Sequence, residues 1–221
     1  MTESNLVVPK LATVEVKGMT RSSFLLRSTL AAGAVYGGAV VGPYVKQAFA
    51  QQEEGSGGDV EILNFALTLE VLEQTFYQEG LRQVSLSGDV QSLAQEIESN
   101  EAEHVDTLTM TIQDLGGEPV AAPELDFGDA FSSEDSFLEL AQTFEDTGVS
   151  AYNGAAPMIQ AEEVLAAAGS IVQVEGRHAS LVRLQRGEEP APVAFDETLT
   201  QQEVLDAVEP FIAGEGGGGP Q

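Results

Sequence analysis

Two short stretches of sequence decide the fold, EAEH at positions 101–104 and EGRH at positions 175–178. In each stretch a glutamate precedes a histidine by three residues, which brings both side chains to one face of an α-helix. The two stretches contain the only two histidines of the chain. Their shared spacing predicts two similar helices, each carrying one Glu and one His on the same face.

A second pair of positions repeats in step with the first. Glu70 precedes Tyr77 by the same number of residues as Glu145 precedes Tyr152. The number of residues between these two Glu-Tyr pairs is almost the same as that between the two Glu-His stretches. The interval makes nearly two helical turns, so each Glu shares a face with its Tyr. The repeated spacing therefore predicts two helix pairs related by a pseudo-twofold axis. Each pair supplies one Glu from its first helix, and one Glu and one His from its second.

Apolar residues recur at three-and-four spacing along the segments that carry these motifs, as expected for helices that bury one face. The pattern predicts four long helices and a short fifth, over about 59–83, 89–115, 133–153, 160–186 and 200–213. Asp59 and Thr200 are the predicted N-caps of the first and fifth helices. Asn153-Gly154 and Pro157 are predicted to end the third helix, and Pro210 interrupts the fifth. No segment has a strand pattern.

The stretch between the second and third helices is the longest predicted connection. It runs from Gly116-Gly117 to Ser132, contains Pro119 and Pro123, and is not expected to be helical. Its length suits a segment that crosses the bundle from one end to the other. We therefore predict an all-α fold, an antiparallel four-helix bundle with a long crossover between helices 2 and 3 and a short C-terminal helix. Ferritin-like bundles use this architecture.

The repeated Glu and His residues interrupt the apolar stripes of their helices, so they are expected to point into the core. A buried carboxylate costs several kcal/mol unless it is paired or metal-bound, and four converging carboxylates repel one another without cations between them. Two divalent ions would cancel that charge. Carboxylate and imidazole donors suit Fe or Mn. The predicted ligands of two Fe or Mn ions are Glu70, Glu101, His104, Glu145, Glu175 and His178.

The sequence resembles the ferritin-like superfamily, and within it the desiccation-related branch of exported ferritin-like proteins. The resemblance covers about residues 59–186 and rests on LNFALTLE at 63–70, 101–104, 148–157 and 175–179. It implies that Glu70 and Glu145 are terminal ligands, that Glu101 and Glu175 bridge the two ions, and that each histidine completes one ion. It also implies that Tyr77 and Tyr152 stand just outside the ligands, as hydrogen-bond donors to a ligand carboxylate or as local electron donors.

Several alternatives stay open at this level. Glu73 competes with Glu70 on the first helix, but the position that corresponds to Glu73 in the second copy of the repeat is Gly148, so the repeat favours Glu70. The tyrosines could simply pack at helix ends. The expected activity is reaction with oxygen or peroxide. The alternatives are a stress-protective bundle whose metal only stabilises the fold, and, least favoured, a mineral-storing cage formed as a homo-oligomer.

The composition narrows the classes of partner. The 221 residues include 36 acidic and 9 basic side chains, for a formal net charge of −27. This charge repels phosphate backbones and anionic lipid headgroups, so cations are expected partners and nucleic acid is not. The absence of cysteine excludes disulfides, thiolate metal sites and cysteine nucleophiles. Three explanations of the excess of acidic side chains stay open: attraction of metal ions, hydration in a salty environment and solubility.

The first fifty residues differ in charge from the rest of the chain. They carry five basic and two acidic side chains, whereas residues 51–221 carry four Arg and 34 acidic side chains. A basic start, a weakly apolar run over 28–45 and AFA at 48–50 predict an export signal that is cleaved after Ala50. TRSSFLL at 20–26 resembles a twin-arginine signal, although Ser22 stands where the second Arg belongs. An uncleaved anchor is the alternative.

These features predict the domain organisation and the location of the protein. A linker at 51–58 precedes the bundle at 59–186, which is followed by a C-terminal segment at 187–213 and a Gly-rich tail at 214–221. The mature chain is expected to contain no transmembrane segment. It is expected to be exported to the periplasm, the cell envelope or the extracellular space.

Overall fold

A computed structural model describes residues 57–213 of the protein. Five α-helices account for most of these residues, and no strand occurs among them. The helices are α1 Gly57–Gln83, α2 Gly88–Asp114, α3 Glu134–Ala155, α4 Glu162–Gln185 and α5 Gln201–Val208. The predicted all-α class is thus confirmed. The predicted export signal at 1–50, residues 51–56 of the predicted linker and the tail at 214–221 lie outside the described residues.

The start of α1 differs from the prediction. The helix begins at Gly57, so Asp59 lies in its first turn and is not its N-cap. The Asp59 carboxylate instead accepts hydrogen bonds from the backbone N–H groups of Gln160 and Ala161, both at 2.8 Å. These two residues lead into α4, whose first N–H groups lack partners within the helix. Asp59 therefore ties the start of α1 to the start of α4.

The end of α3 also differs from the prediction. Ser133 caps the helix, but α3 continues through Asn153 and Gly154 to Ala155. Gly154 has a packing role, because a Cβ at this position would lie 1.9 Å from the carbonyl oxygen of Leu199. The missing side chain lets the C-terminal segment lie directly against α3. A short 3-10 turn, Ala156–Met158, then leads towards α4.

Two apolar clusters fill the core and lie on either side of the middle of the bundle. The Phe76 cluster includes residues from the end of α1 and the starts of α2 and α3. At its centre the Phe76 ring stacks on Phe137 at 4.9 Å and meets Phe144 edge-on at 5.2 Å. The Leu67 cluster, which includes Ile112, takes in the start of α1 and the end of α2. The polar core residues lie between the two clusters, shielded from water at both ends.

The clusters also show how the helices are connected. α1 packs mainly against α2, and α3 packs mainly against α4. After α2, Leu115 and Val120 pack on the Leu67 cluster, whereas Phe127 and Ala130 belong to the Phe76 cluster. The connection therefore crosses the length of the bundle as predicted, with one 3-10 turn at Gly128–Ser132. α1 and α4 run in one direction, and α2 and α3 run in the other.

The C-terminal segment packs along α3. Thr200 caps α5 as predicted, through a reciprocal pair of hydrogen bonds with Glu203. The helix is shorter than predicted because it gives way to a 3-10 turn at Glu209–Phe211, which contains Pro210. Its buried residues Val204 and Val208 join the Phe76 cluster. Among the described helices, none combines the length and the apolar character that crossing a membrane requires.

Candidate metal centre

Four buried glutamates, one from each long helix, meet between the two apolar clusters. They are Glu70 on α1, Glu101 on α2, Glu145 on α3 and Glu175 on α4, and each is 0% exposed. Each takes a core position of its amphipathic helix, so folding brings the four carboxylates together. Within residues 57–213, no Lys or Arg forms an ion pair with any of them. Of the basic side chains in the described part of the chain, only the two histidines lie close enough to offset their charge.

His104 on α2 faces three of these carboxylates. Its Nδ1 atom lies 3.0 Å from Glu101 Oε2, 3.1 Å from Glu70 Oε2 and 3.1 Å from Glu175 Oε1. His104 is 9% exposed, the largest value among the six predicted ligands. One nitrogen and three carboxylate oxygens from three helices therefore converge on one small volume.

His178 on α4 also faces three carboxylates, with Glu145 in place of Glu70. Its Nδ1 atom lies 2.9 Å from Glu101 Oε1, 3.4 Å from Glu145 Oε2 and 3.9 Å from Glu175 Oε2. Glu101 and Glu175 thus present one oxygen to each histidine, and their carboxylates span the space between the imidazoles. Ligand atoms within 4.8 Å of one another define two groups that share these two glutamates: Glu70, Glu101, His104 and Glu175, and Glu101, Glu145, Glu175 and His178.

The two tyrosines connect the halves of the repeat. Tyr77 on α1 donates a hydrogen bond of 2.5 Å to Glu145 Oε1 on α3. Tyr152 on α3 donates one of 2.5 Å to Glu70 Oε1 on α1. The sequence places each Tyr on the same face as the Glu of its own helix, but in the structure each Tyr binds the Glu of the other half. Each hydroxyl thereby fixes the orientation of one carboxylate.

The unsatisfied atoms of the cluster fit divalent cations. Among the described residues, only six buried side-chain atoms lack a hydrogen-bond partner, and five of them belong to predicted ligands: Glu101 Oε1, Glu145 Oε2, both carboxylate oxygens of Glu175 and Nδ1 of His178. His178 Nδ1 and Glu101 Oε1 lie 2.9 Å apart but lack hydrogen-bond geometry. Leaving such atoms unpaired costs about 1–3 kcal/mol each. Hard oxygen donors and imidazole nitrogens turned towards common points are a suitable donor set for Fe or Mn.

The carboxylates and imidazoles of the cluster shift one another's pKa values. Burial raises the pKa of Glu70 to about 8. Burial also opposes ionisation of Glu101, but the two neighbouring imidazoles outweigh it and lower its pKa to about 2. Burial disfavours charged histidines as well, yet the facing carboxylates raise the pKa of His104 to about 12 and that of His178 to about 10. The carboxylates that we predict as metal ligands thus also set the pKa of both imidazoles.

A family comparison agrees with this geometry. A family model described as a ferritin-like domain matches residues 58–188, more than half of the chain. The chain belongs to the ferritin-like domain family. No curated protein matches the sequence. The matched part of this ferritin-like domain contains all six predicted ligands and both tyrosines, and together the family and the cluster fit a metal-binding protein.

Glu73 is a fifth carboxylate beside the cluster, and sequence reasoning assigned it no place there. It is 3% exposed but belongs to neither group of ligand atoms. A Cβ at Gly148 would lie 3.1 Å from Glu73 Oε1 and 3.5 Å from Glu175 Oε2, so this glycine makes room for both carboxylates. Burial, followed by the charge of Glu175, raises the pKa of Glu73 well above its usual value. The mismatch between Glu73 and Gly148 in the repeat was the available sequence signal.

Asn100 is a further contact of the ferritin-like site that the sequence analysis missed. Its side-chain amide hydrogen-bonds Nε2 of His178 at 3.0 Å, which orients the ring so that Nδ1 faces the carboxylates. The residue that corresponds to Asn100 in the second copy of the repeat is Val174, so His104 has no matching partner. A search for repeated motifs passes over such an asymmetric residue. No sequence signal that we used would have found it.

Proposed function

We propose that this ferritin-like domain holds two Fe or Mn ions and reacts with dioxygen or peroxide. The observation that supports this most strongly is the pair of ligand groups that share Glu101 and Glu175. Two groups with two common carboxylates are the arrangement needed for two ions held side by side. The resemblance to the ferritin-like superfamily suggested the same ligand roles.

Each residue has a definite role in this proposal. Glu70 and His104 would hold one ion, Glu145 and His178 would hold the other, and Glu101 and Glu175 would contact both. When bound, two divalent ions supply one electron each, which with two protons converts one dioxygen to hydrogen peroxide, or one hydrogen peroxide to two waters.

The rest of the chain prepares the site for this chemistry. Tyr77 and Tyr152 hold the outer oxygens of Glu145 and Glu70, which leaves the other oxygen of each carboxylate turned towards an imidazole. Burial raises the pKa of both phenols well above the usual value, so both hydroxyls keep their protons as hydrogen-bond donors. The apolar clusters exclude bulk water from both ends of the site, which strengthens every charge interaction within it.

The first test is the number of ions bound per chain. The full chain is loaded with Fe(II) without oxygen, or with Mn(II), then desalted and analysed by elemental analysis, beside Glu101→Ala/Glu175→Ala and the exposed control Glu103→Ala. We expect two ions per chain in the wild type and in the control, and loss of both in the double variant with its helix content retained. Near-zero binding in all three proteins would overturn the proposal.

The second test concerns the reaction. The loaded, reduced protein is mixed with dioxygen or with hydrogen peroxide, and consumption of the oxidant is followed together with oxidation of the metal. We expect metal-dependent consumption that the double variant lacks. A fully loaded protein that consumes neither oxidant would refute the catalytic part of the proposal.

One observation favours a second function, a metal clip that stabilises the bundle. Every long helix contributes a ligand, so two ions would cross-link all four helices. A clip predicts that chelation lowers the melting temperature while the loaded protein consumes no oxidant. The oxidative proposal predicts the same loss of stability together with turnover, so the reaction test separates the two functions.

We also propose that the protein acts outside the cytoplasm, in protection against oxidative or desiccation stress. Support comes from the export-like sequence of residues 1–50 and from the resemblance to the desiccation-related branch. Analysis of the N-terminus of the protein recovered from a cell-envelope or extracellular fraction tests the first point. A chain that retains residue 1 and stays in the cytoplasm would refute export.

A further inference from the structure

A small apolar cavity lies beside the candidate metal centre. It has a volume of about 20 Å³ and is lined by residues of α1, α3 and α4 and of the segment between α3 and α4. Its inner wall is buried and its outer wall is half-buried, so it leads from near the surface towards the core. The inner wall includes Leu69, Ala151 and Tyr152, and the outer wall includes Ile62, Ala155 and Ile159.

The lining of this cavity provides almost nothing for a polar molecule to bind. Apart from Tyr152, every lining side chain is a hydrocarbon. The Tyr152 hydroxyl already donates its proton to Glu70. A buried water molecule usually makes about three hydrogen bonds, and hydrogen peroxide has similar needs. A small apolar molecule gives up no hydrogen bond by entering, and apolar cavities bind apolar ligands.

Tyr152 contacts both the cavity and the candidate metal centre. The ring of Tyr152 lines the cavity and its hydroxyl lies 2.5 Å from Glu70 Oε1. Leu69, the neighbour of Glu70 in sequence, also lines the cavity. The corresponding residue of the other half, Tyr77, is packed among the rings of the Phe76 cluster, with Phe137 at 5.8 Å. The surroundings of the two tyrosines therefore differ, although the site itself is nearly symmetric.

We infer that this cavity is a binding site for dioxygen that supplies the metal centre from the Glu70 side. Dioxygen is small, apolar and without hydrogen-bonding needs, so it suits the size and the lining of the cavity, whereas hydrogen peroxide does not. This inference rests on the proposed function and deepens it, because it selects dioxygen over peroxide as the oxidant that uses this route.

The direct test uses dioxygen itself as the probe and needs no activity. Dioxygen is paramagnetic and broadens or shifts the NMR signals of methyl groups near which it resides. The metal-free full chain with labelled Ala, Leu and Ile methyls is measured under increasing dioxygen pressure. We expect the largest effects at Leu69, Ala151 and Ile159, and smaller ones at Leu108 and Ile112, which do not line the cavity. Equal effects at both sets of methyls would overturn the inference.

A filled cavity gives the second test. Ala155→Leu adds bulk at the outer wall, and Ala166→Leu, at an exposed position of α4 that does not line the cavity, is the matched control. We expect Ala155→Leu to reduce the dioxygen effects on the inner-wall methyls several-fold. In the loaded, reduced protein it should slow oxidation by dioxygen several-fold and leave oxidation by hydrogen peroxide unchanged. An equal loss with both oxidants, or no loss with dioxygen, would overturn the inference.

The two tests also separate this inference from the proposed function. If the loaded protein reacts with neither oxidant, the proposed function fails, but the NMR experiment on metal-free protein still decides whether dioxygen occupies the cavity. If the protein reacts with dioxygen and the methyls show no local effect, the proposed function stands and the cavity assignment fails.

Discussion

The crossed hydrogen bonds from the tyrosines to the glutamates lead to the most specific prediction. Tyr77→Phe and Tyr152→Phe each remove one hydroxyl and keep the ring, so packing is preserved while one oxygen of a buried carboxylate loses its partner. Leaving a buried acceptor unpaired costs about 1–3 kcal/mol. For a chain of this size, each kcal/mol lowers the melting temperature by about 2–4 °C, so each variant should melt about 2–12 °C below the wild type.

The same change should weaken metal binding. Each tyrosine orients a carboxylate that we assign to a different ion, and loss of such an outer partner typically costs about 10–100-fold in metal affinity. Melting is followed by circular dichroism in the metal-free protein, and affinity is measured by anaerobic titration with Fe(II). Because both hydrogen bonds are equally short, the two variants should lose similar amounts of stability.

A control and a refuting result complete this test. Thr143→Ala removes an exposed hydroxyl that donates only to the carbonyl of Glu139 within the same helix. It should change the stability by no more than about 0.5 kcal/mol. If both Tyr→Phe variants have the melting temperature of this control and the metal affinity of the wild type, the tyrosines do not hold the carboxylates and the argument fails.

Three further predictions follow from the site, the fold and the core. Burial raises the folded-state pKa of Glu70 to about 8, so the stability that protonated Glu70 gives the metal-free fold is complete below its unfolded pKa and is lost as the pH rises through 8. Because metal ions displace such protons, metal affinity should rise with pH, and metal binding should release protons that a titration in weak buffer can measure. Gly154→Ala should destabilise the protein by about 1–3 kcal/mol, through the clash with Leu199, and should expose the C-terminal segment to proteolysis, whereas Gly169→Ala, in open space on α4, should not. Phe76→Ala should cost about 3–5 kcal/mol in chemical denaturation, because the ring is 0% exposed at the centre of the aromatic cluster.

The helices show why sequence reasoning succeeded in some places and failed in others. The centres of the helices and the crossover were predictable because burial of one apolar face leaves a periodic pattern. The end of α3 was not predictable, because Gly154 in its local sequence indicates the end of a helix. In the structure this position must be a glycine because Leu199, which follows α4 in sequence, packs against it. Asp59 was misassigned for the same reason, because the N–H groups that it binds belong to a distant segment of the chain.

The site divides in the same way. The duplicated motif was enough to group the glutamates and histidines, because it preserves their spacing and a helix brings residues at that spacing to one face. The contacts between the two halves of the repeat came from the packing of the helices. This packing crossed the tyrosines to the opposite glutamates, placed Glu73 against Gly148, set Asn100 behind His178 and left an apolar cavity on one side. These features depend on the distances between helices that are remote in sequence, and no local periodicity encodes such distances.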